Sequence, residues 1–596
     1  MDTIKSFKGY GKVDEVEQQA FRKKTRKRIV IIIASVILLF AIVIAIVVGT
    51  LLVHNNKNST SSGTASTTTT SSSIRSVCSV TQYQESCISS LRSLDTTTTT
   101  DPQQLFKLSL LAVLTELTHL STFPSNLKSK INDDRVRAAL GVCQVVIDDA
   151  IDRINDSISA MGDDDDKSSS SLSIGMVEDL KTWLSTTLTD QETCFDSLEE
   201  VNAITVLEEM KVLARNSTEF SSNSLAIVSK ILGILSNFNS HHRRLLLLGQ
   251  EEGLEEEEEE DHHMRFPRWV ERRFLQETKP TPNVVVNKDG TGDYRTIGEA
   301  VAKIPKKSAT RFVIYVKAGE YVENVNLDKS LWNVMMYGDG MANTIVSGSL
   351  NKIDGTPTFN TATFAVVGKG FIARDMGFKN SAGPQKEQAV ALRSGSDQSV
   401  FYKCSFDGFQ DTLYAHSNRQ FYRECDITGT VDFIFGNSAV VLQSCNIQPR
   451  QPGPNQVVTI TAQGKKDVNQ NTGISIQKCS ISPLMTSSNS SSLTARSYLG
   501  RPWKEYSTTI IMQSQIGSFL DPAGWSPWVP GVNPPSTIFY AEYLNTGPGA
   551  TLDKRVTWDG YTRNTTSAQA SKFTVESFID GTMWLPQTQV LFDLTL

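Results

Sequence analysis

A repeated motif in the C-terminal half of the chain decides the fold: FYKCSF at 401–406, FYRECDI at 421–427, VLQSCNI at 441–447 and SIQKCSI at 475–481. The cysteines of the first three copies are spaced by 21 and 20 residues, and the fourth follows 34 residues later. Stacked coils of twenty-odd residues predict a right-handed parallel β-helix with an extended loop in the longer coil. An antiparallel sandwich is the alternative that the repeat leaves open.

The residues around the repeat also indicate an all-β domain. From residue 283 onwards, short β-branched and aromatic runs such as 284–286 and 312–316 alternate with Gly, Asn and Asp. We therefore predict that the β-helix occupies residues 283–596. Between residues 281 and 596 there are 28 Lys and Arg against 25 Asp and Glu, about +3, whereas the whole chain carries −6. A mildly basic domain suits an anionic partner, and no motif points to nucleic acid.

The repeat places two aspartates at equivalent positions of neighbouring coils. Asp411 lies seven residues after Cys404, and Asp432 lies seven residues after Cys425. In equivalent coils the two carboxylates would lie about 4.8 Å apart and face one groove. Two carboxylates at that distance cannot easily both be ionised, so their roles separate into an acid/base and a nucleophile.

Neighbouring residues favour acyl chemistry at this pair. The amides of Gln388 and Gln410 could donate hydrogen bonds to a developing oxyanion. The segment LGRPW at 499–503 supplies a fixed cation and an exposed aromatic. Candidate aromatics for a groove that binds sugar rings are Phe359, Tyr414, Phe433, Trp503 and Trp525.

The sequence lacks the motifs that several other classes of catalytic site require. No G-x-S-x-G occurs, and residues 283–596 contain one histidine, His416, so a serine triad would have to use it. A histidine-based metal cluster, a P-loop and a dinucleotide fingerprint are likewise missing from the sequence. We expect no metal and no cofactor.

The region before the β-helix is predicted to be helical. Apolar residues recur at three- and four-residue spacing in four segments, 105–120, 136–154, 176–198 and 201–238, which predicts a four-helix bundle within residues 74–238. Two cysteine pairs could stabilise it. Cys78 and Cys87 are close enough to join a hairpin, and Cys143 and Cys194 lie on different predicted helices.

The N-terminus carries a targeting signal. Residues 1–28 end in the basic run RKKTRKR, and residues 29–53 contain no charge, which predicts a cytosolic tail followed by a membrane-spanning signal anchor. Residues 54–73 are a Ser/Thr-rich linker. The rest of the chain is then expected in the secretory pathway, in agreement with sequons at Asn58, Asn155, Asn216, Asn489 and Asn564.

Residues 239–282 are predicted to be a linker that can be processed. The pairs Arg243-Arg244 and Arg272-Arg273 flank an acidic run at 255–261. Paired arginines between two domains of a secretory protein are typical of protease sites. A charged, solvated linker is the alternative.

Five blocks resemble the signature sequences of plant pectin methylesterases, in order across 283–592. They are GDYRTIGEAV at 292–301, YVENV at 321–325, GFQDTLY at 408–414, DFIFG at 432–436 and LGRPW at 499–503. The helical segment with its four cysteines resembles the pectin methylesterase inhibitor domain. The two together are similar to precursors whose inhibitor-like pro-region precedes a dibasic linker.

The resemblance implies a role for each matching position. Asp432 matches the nucleophile and Asp411 the general acid/base. Gln388 and Gln410 match the oxyanion-stabilising amides, and Arg501 the residue that holds the nucleophile. Thr358 and Trp503 match substrate contacts. For the β-helix cysteines we predict a Cys425–Cys445 disulfide, although Cys404–Cys425 fits the spacing equally well.

The implied reaction is hydrolysis of the C6 methyl ester of galacturonate in pectin. The implied partners are pectin, the intramolecular inhibitor domain, external pectinesterase inhibitors, a processing protease and the membrane through the anchor. A membrane-anchored Golgi precursor and a mature cell-wall enzyme are the expected locations. Alternatives are a β-helix glycosidase of the polygalacturonase type, since close carboxylates also suit a retaining mechanism, and an inhibitor or wall-binding protein. A calcium-dependent lyase would need a denser acidic cluster.

Overall fold

The computed structural model describes residues 65–94, 99–162, 172–234, 280–485 and 493–596. Within these ranges no helix is both long and apolar enough to cross a membrane. The anchor predicted at 29–53, the sequons at Asn58 and Asn489 and both arginine pairs of the linker lie outside the described residues.

Side chains that cap the backbone begin three of the long N-terminal helices. Asp101 accepts from the backbone N–H of Gln103, Asp133 from that of Arg135, and Ser173 from that of Met176. The helices are α1 Ala65–Cys78, α2 Gln84–Leu94, α3 Pro102–Lys128, α4 Asp134–Ala160, α5 Ile174–Glu200 and α6 Ile204–Ile227, which continues as a π-helical turn Val228–Leu232.

Helices α3 to α6 pack around one apolar core, which confirms the predicted bundle. Both predicted disulfides of this region are present. Cys78–Cys87 joins α1 to α2, and Cys143–Cys194 joins α4 to α5.

The C-terminal half consists of three parallel sheets that the chain visits in turn. The 11-stranded sheet contains β1 Val284–Val286, β2 Phe312–Val316, β5 Val334–Tyr337, β8 Ile372–Arg374, β11 Ser399–Tyr402, β14 Arg419–Arg423, β17 Ala439–Gln443, β20 Gly473–Gln477, β23 Thr508–Met512, β25 Phe539–Tyr543 and β26 Tyr561–Thr562. The 8-stranded sheet contains β3 Gly319–Val322, β6 Thr344–Gly348, β9 Gly377–Asn380, β12 Ser405–Asp407, β15 Asp426–Gly429, β18 Asn446–Pro449, β21 Ser480–Ile481 and β24 Gln515–Ile516. The 7-stranded sheet contains β4 Val325–Leu327, β7 Phe364–Val366, β10 Leu392–Ser394, β13 Leu413–Ala415, β16 Ile434–Gly436, β19 Val458–Gln463 and β22 Ser497–Gly500. This is the predicted parallel β-helix, and it excludes the antiparallel sandwich.

The repeat sets the register of the coils. Phe401 pairs with Tyr422 and Phe421 with Val441, so the motif cysteines occupy equivalent positions on successive coils. The residue before each cysteine has a positive φ between 52° and 55°, which turns the chain from one sheet to the next. These turn residues are Lys403, Glu424, Ser444 and Lys478.

The predicted disulfide Cys425–Cys445 is wrong in this structure, and so is the Cys404–Cys425 alternative. All four cysteines of the β-helix are free and buried. Equivalent positions on parallel coils point their Cα–Cβ bonds the same way, so the sulfurs stack in a column, and none of them forms a disulfide. Each thiol instead lies against a backbone carbonyl, as Cys425 does at 3.3 Å from Phe401 O and Cys445 at 3.6 Å from Tyr422 O.

Stacked aromatic rings fill the interior of the β-helix. The rings of Phe401 and Tyr422 are nearly parallel with centroids 4.7 Å apart, and those of Phe378 and Phe406 are 5.7 Å apart. A short helix α7 Ile297–Val301 packs on this core near its beginning. Three more short helices, α8 Ser567–Ala570, α9 Val575–Ile579 and α10 Gly581–Trp584, lie on the outer face of the 11-stranded sheet.

Candidate active site

The two candidate aspartates lie at equivalent turns of adjacent coils. Leu413 pairs with Ile434, so Asp411 and Asp432, each two residues earlier, are in the same phase. Their φ angles are 61° and 49°, a left-handed conformation that aspartate tolerates better than most residues. Both line one cavity of about 220 Å³ and are buried, with 7% and 5% of their surface exposed. The predicted register is confirmed.

Three side-chain hydrogen bonds hold the carboxylate of Asp432. Arg501 donates from Nε to Oδ1 at 2.9 Å and from Nη2 to Oδ2 at 2.6 Å. Thr459 donates from Oγ1 to Oδ1 at 2.6 Å. This bidentate, charge-assisted pairing fixes the plane of the carboxylate.

Asp411 has a different environment. Burial raises its pKa well above the ordinary aspartate value, the nearby carboxylates of Asp432 and Glu200 raise it further, and Arg501 acts in the opposite direction. This environment favours the neutral, proton-donating form of Asp411. Two carboxyls with different surroundings therefore face the same cavity.

The two glutamines lie beside the aspartates. Gln388 and Gln410 form a parallel bridge between neighbouring coils, and both line the cavity. Among the described residues no partner bonds the side-chain oxygen of Gln388. The coils thus bring two amides to the cavity wall, where their N–H groups are available to an oxyanion.

Aromatic rings form the rest of the cavity wall. Of the predicted aromatics, Phe359, Tyr414 and Trp503 line it. Phe433 and Trp525 belong instead to the β-helix core, with 0% and 1% exposure.

Two further aromatics were not predicted. Phe435 stacks on Tyr414 with centroids 4.2 Å apart, and Trp528 stacks on Trp503 at 6.2 Å. The guanidinium of Arg501 lies 4.3 Å from the centre of the Trp528 ring. Phe435 could have been found from its position, since it lies one coil beyond Tyr414.

The C-terminal end of helix α5 also lines the cavity, which the sequence did not predict. Glu200 accepts from the backbone N–H of Thr358 at 3.1 Å and from its Oγ1 at 2.6 Å. Thr193, Asp196 and Ser197 complete this wall. The predicted substrate-contact position Thr358 is thus occupied by a carboxylate from the helical domain.

Charged pairs extend this contact along α5. Lys504 donates to Asp196 at 2.5 Å and lies 3.6 Å from Glu192. Arg419 donates to Asp179 at 2.7 Å. In every pair the anion belongs to the helix and the cation to the β-helix.

Neutral contacts close the remainder of this interface. Thr193 Oγ1 lies 2.9 Å from His416 Nε2, and Asn437 donates to Thr189 Oγ1 at 2.9 Å. The apolar core of the bundle is continuous with Phe359, Tyr414 and Phe435 of the cavity wall. Helix α5 therefore covers the cavity with complementary charge and apolar surface.

Two family models match the chain. The model described as pectinesterase matches residues 283–582, about half of the chain, and the model described as plant invertase/pectin methylesterase inhibitor matches 72–227. These ranges correspond to the β-helix and the helical bundle.

Known proteins agree with both models. The chain is 57% identical to "Pectinesterase 3" of Phaseolus vulgaris and 55% identical to "Pectinesterase 1" of Arabidopsis thaliana, in each case over 100% of both chains. A solved structure of a pectin methylesterase from carrot is 52% identical with a TM-score of 0.51, and the match covers 54% of this chain and 99% of that one. The chain belongs to the pectinesterase family of carboxylic ester hydrolases, and an inhibitor-like domain precedes its β-helix.

Proposed function

We propose that the chain hydrolyses the C6 methyl ester of galacturonate units in pectin, with Asp432 as nucleophile and Asp411 as general acid and base. The observation that carries this proposal is the asymmetry of the pair. Arg501 and Thr459 bind the carboxylate of Asp432, whereas burial and the neighbouring carboxylate of Asp432 raise the pKa of Asp411 well above its ordinary value. A nucleophile and a proton donor are therefore ready before substrate binds.

The first half of the reaction forms an acyl-enzyme. An Asp432 oxygen attacks the ester carbonyl carbon, and the oxyanion that develops accepts hydrogen bonds from Gln388 and Gln410. When the tetrahedral intermediate collapses, the bond to the methoxy oxygen breaks. The departing methoxide takes the proton of Asp411 and leaves as methanol.

The second half hydrolyses the resulting anhydride. Asp411, now a carboxylate, takes a proton from a water molecule, and the oxygen of that water attacks the galacturonyl carbon. The bond to Asp432 breaks, which restores both aspartates and releases a galacturonic acid carboxyl that then loses its proton to solvent. Each step uses residues that line the same cavity.

A retaining glycosidase is the rival chemistry for two close carboxylates. It requires a group that attacks a sugar ring carbon, and it has no need for two amides aimed at an oxyanion. Gln388 and Gln410 line the same cavity as the two aspartates, and their side-chain amides favour the ester reaction.

The deciding experiment measures both products. The chain is expressed in and secreted from cultured plant cells, its 239–282 linker is cut, and the product is given pectin of high methyl ester content and, separately, fully de-esterified polygalacturonate. We expect methanol from pectin and no new reducing ends from either polymer. New reducing ends without methanol would contradict the proposal.

We also propose that the helical domain restrains the enzyme domain within the same chain. Glu200 occupies the contact position of Thr358, and Thr193, Asp196 and Ser197 line the cavity of the two aspartates, so α5 restricts the access of a polysaccharide to them. A tethered domain has a high local concentration, so modest contacts suffice. The same cover should exclude external pectinesterase inhibitors until the helical domain leaves.

Cleavage in the 239–282 linker is the proposed means of release. A cut at Arg243-Arg244 or Arg272-Arg273 removes the tether and also frees the enzyme domain from an anchor at 29–53. We infer a route through the secretory pathway to the cell wall. The exposed sequon residues Asn155, Asn216 and Asn564 are accessible to glycosylation on that route.

Replacing all four arginines by alanine tests this route. We expect a full-length product with reduced specific activity that stays with membranes, because neither the tether nor the anchor is cut. Full specific activity of uncut protein in the wall would refute both the processing and the restraint.

A further inference from the structure

One hydroxyl group makes two hydrogen bonds to the candidate nucleophile. Thr459, on β19, accepts a hydrogen bond from the backbone N–H of Asp432 at 2.9 Å and donates one to Asp432 Oδ1 at 2.6 Å. An N–H can only donate, so the hydroxyl oxygen must accept there. Its own proton is thereby free to point at the carboxylate.

This double contact closes a ring between the backbone and the side chain of a single residue. Asp432 has a left-handed backbone with φ of 49°, a conformation that costs energy in any residue other than glycine. Thr459 is completely buried, and its β-branched side chain has little rotational freedom. The hydroxyl therefore fixes both the turn and the direction of the carboxylate.

The contacts also distinguish the two carboxylate oxygens. Among the described residues, Oδ1 receives donors from Thr459 and from Arg501 Nε, whereas Oδ2 receives Arg501 Nη2 alone. Two donors withdraw more electron density from Oδ1 and occupy more of its lone-pair directions. Oδ2 is the oxygen that keeps a lone pair for attack.

We propose that Thr459 is a positioning residue that orients Asp432 so that Oδ2 attacks the ester. The inference rests on the proposed function, in which Asp432 is the nucleophile. Thr459 does not line the cavity, so it acts through Asp432 and does not contact substrate.

Three variants, each expressed as the full chain and assayed after the 239–282 linker has been cut, test this role. Thr459→Val keeps the shape and removes the hydroxyl, and Thr459→Ser keeps the hydroxyl. Thr461→Val is the matched control, because Thr461 lies two residues along the same strand, is equally buried and donates to Leu499 O at 2.9 Å instead of to a catalytic group. Methanol release gives kcat and KM, and thermal unfolding reports the fold.

We expect Thr459→Val to lower kcat about 10- to 100-fold, with KM within about twofold of the unsubstituted chain. Thr459→Ser should restore kcat to within about threefold, and Thr461→Val should leave it near normal. A variant that merely loosened the fold would lower Tm and would affect the Thr459 and Thr461 replacements alike.

The outcomes separate this inference from the proposed function. Normal kcat in Thr459→Val, equal losses in Thr459→Val and Thr461→Val, or no recovery with serine would overturn the positioning role while the unsubstituted chain still released methanol. If the unsubstituted chain released none, the proposed function would fail and the role of Thr459 with it.

Discussion

Asp432 and Asp411 show how one turn type can place two carboxyls in different environments. Both are buried, left-handed and one coil apart. Asp432 has a guanidinium and a hydroxyl as partners, whereas Asp411 faces two other carboxylates. The chemical difference therefore comes from the side chains around each carboxyl. The backbone conformation is the same at both aspartates.

Replacing Asp432 by asparagine should abolish methanol release. Asparagine has nearly the same shape but lacks the negative oxygen that attacks the ester, so we expect a loss of about a thousandfold or more in kcat with an unchanged Tm. Asp426→Asn is the control, since Asp426 lies on the preceding strand β15 and pairs with Asn446 at 2.8 Å. Turnover above a tenth of normal in Asp432→Asn would rule out its role as nucleophile.

Replacing Arg501 by lysine should also reduce the rate. A lysine cannot donate to both oxygens of Asp432 from one rigid plane, nor does it stack as well over Trp528. We expect kcat to fall about 10- to 100-fold. Arg496→Lys, an exposed change on the same segment, should have no effect. Equal kcat values for the two variants would show that the bidentate geometry is unimportant.

Counting along the sequence could place the aspartates but not all of their partners. Asp411 and Asp432 were found because equivalent coils differ by a constant number of residues. Thr459 is 27 residues from Asp432, across a coil whose length departs from the repeat. Glu200 is 158 residues from Thr358 and belongs to another domain. No local pattern encodes such pairings.

At the level of elements, the repeat predicted which side chains stack but not whether the stacked cysteines form disulfides. It placed Cys404, Cys425, Cys445 and Cys479 in one column, and the structure agrees. Stacking alone does not decide between a disulfide and free thiols, because both satisfy the same coil register. In the bundle, by contrast, the pairs lie on different elements that approach each other, and the disulfides form.

Helix α5 is the element on which the restraint depends. Glu200→Ala removes the carboxylate that occupies Thr358, so we expect the uncut full chain to release methanol about tenfold faster. Glu199→Ala is the matched control, since its side chain is exposed and adjacent in sequence. The measurement is initial methanol release before any linker cleavage. An unchanged rate for Glu200→Ala would mean that this contact does not limit access.

Over the whole molecule, charge is divided between the two domains. The chain carries −6 in total while residues 281–596 carry about +3, so the segment before them carries about −9. Part of the negative charge of that segment faces the β-helix directly, on Asp179, Glu192 and Asp196 of α5. The asymmetry could be counted from the sequence. The surface on which it acts could not, because it depends on how two domains pack.

The association of the two domains should also depend on pH through His416. Burial, and to a lesser extent the positive charge of Arg393, lower the pKa of His416 to about 3, while Thr193 of α5 contacts its Nε2 atom. The ordinary histidine value is about 6.5, to which the side chain should return when α5 leaves. A depressed pKa means that the associated state disfavours the proton. His416 therefore contributes its full stabilisation above about pH 6.5 and loses it progressively as pH falls toward 3.

The experiment compares the unsubstituted chain with His416→Gln after the 239–282 linker has been cut, by following how much helical domain co-elutes with the β-helix. Glutamine keeps a polar group near Thr193 but cannot titrate. We expect the dissociation constant of the unsubstituted protein, relative to that of the variant, to rise by up to about tenfold for each pH unit below 6.5. The carboxyls Asp179, Glu192, Asp196 and Glu200 have pKa values raised by burial and act in the opposite direction, but they are present in both proteins and cancel in the ratio. A ratio that stayed constant between pH 7 and pH 5 would show that His416 is no more buried in the associated state than in the separated one.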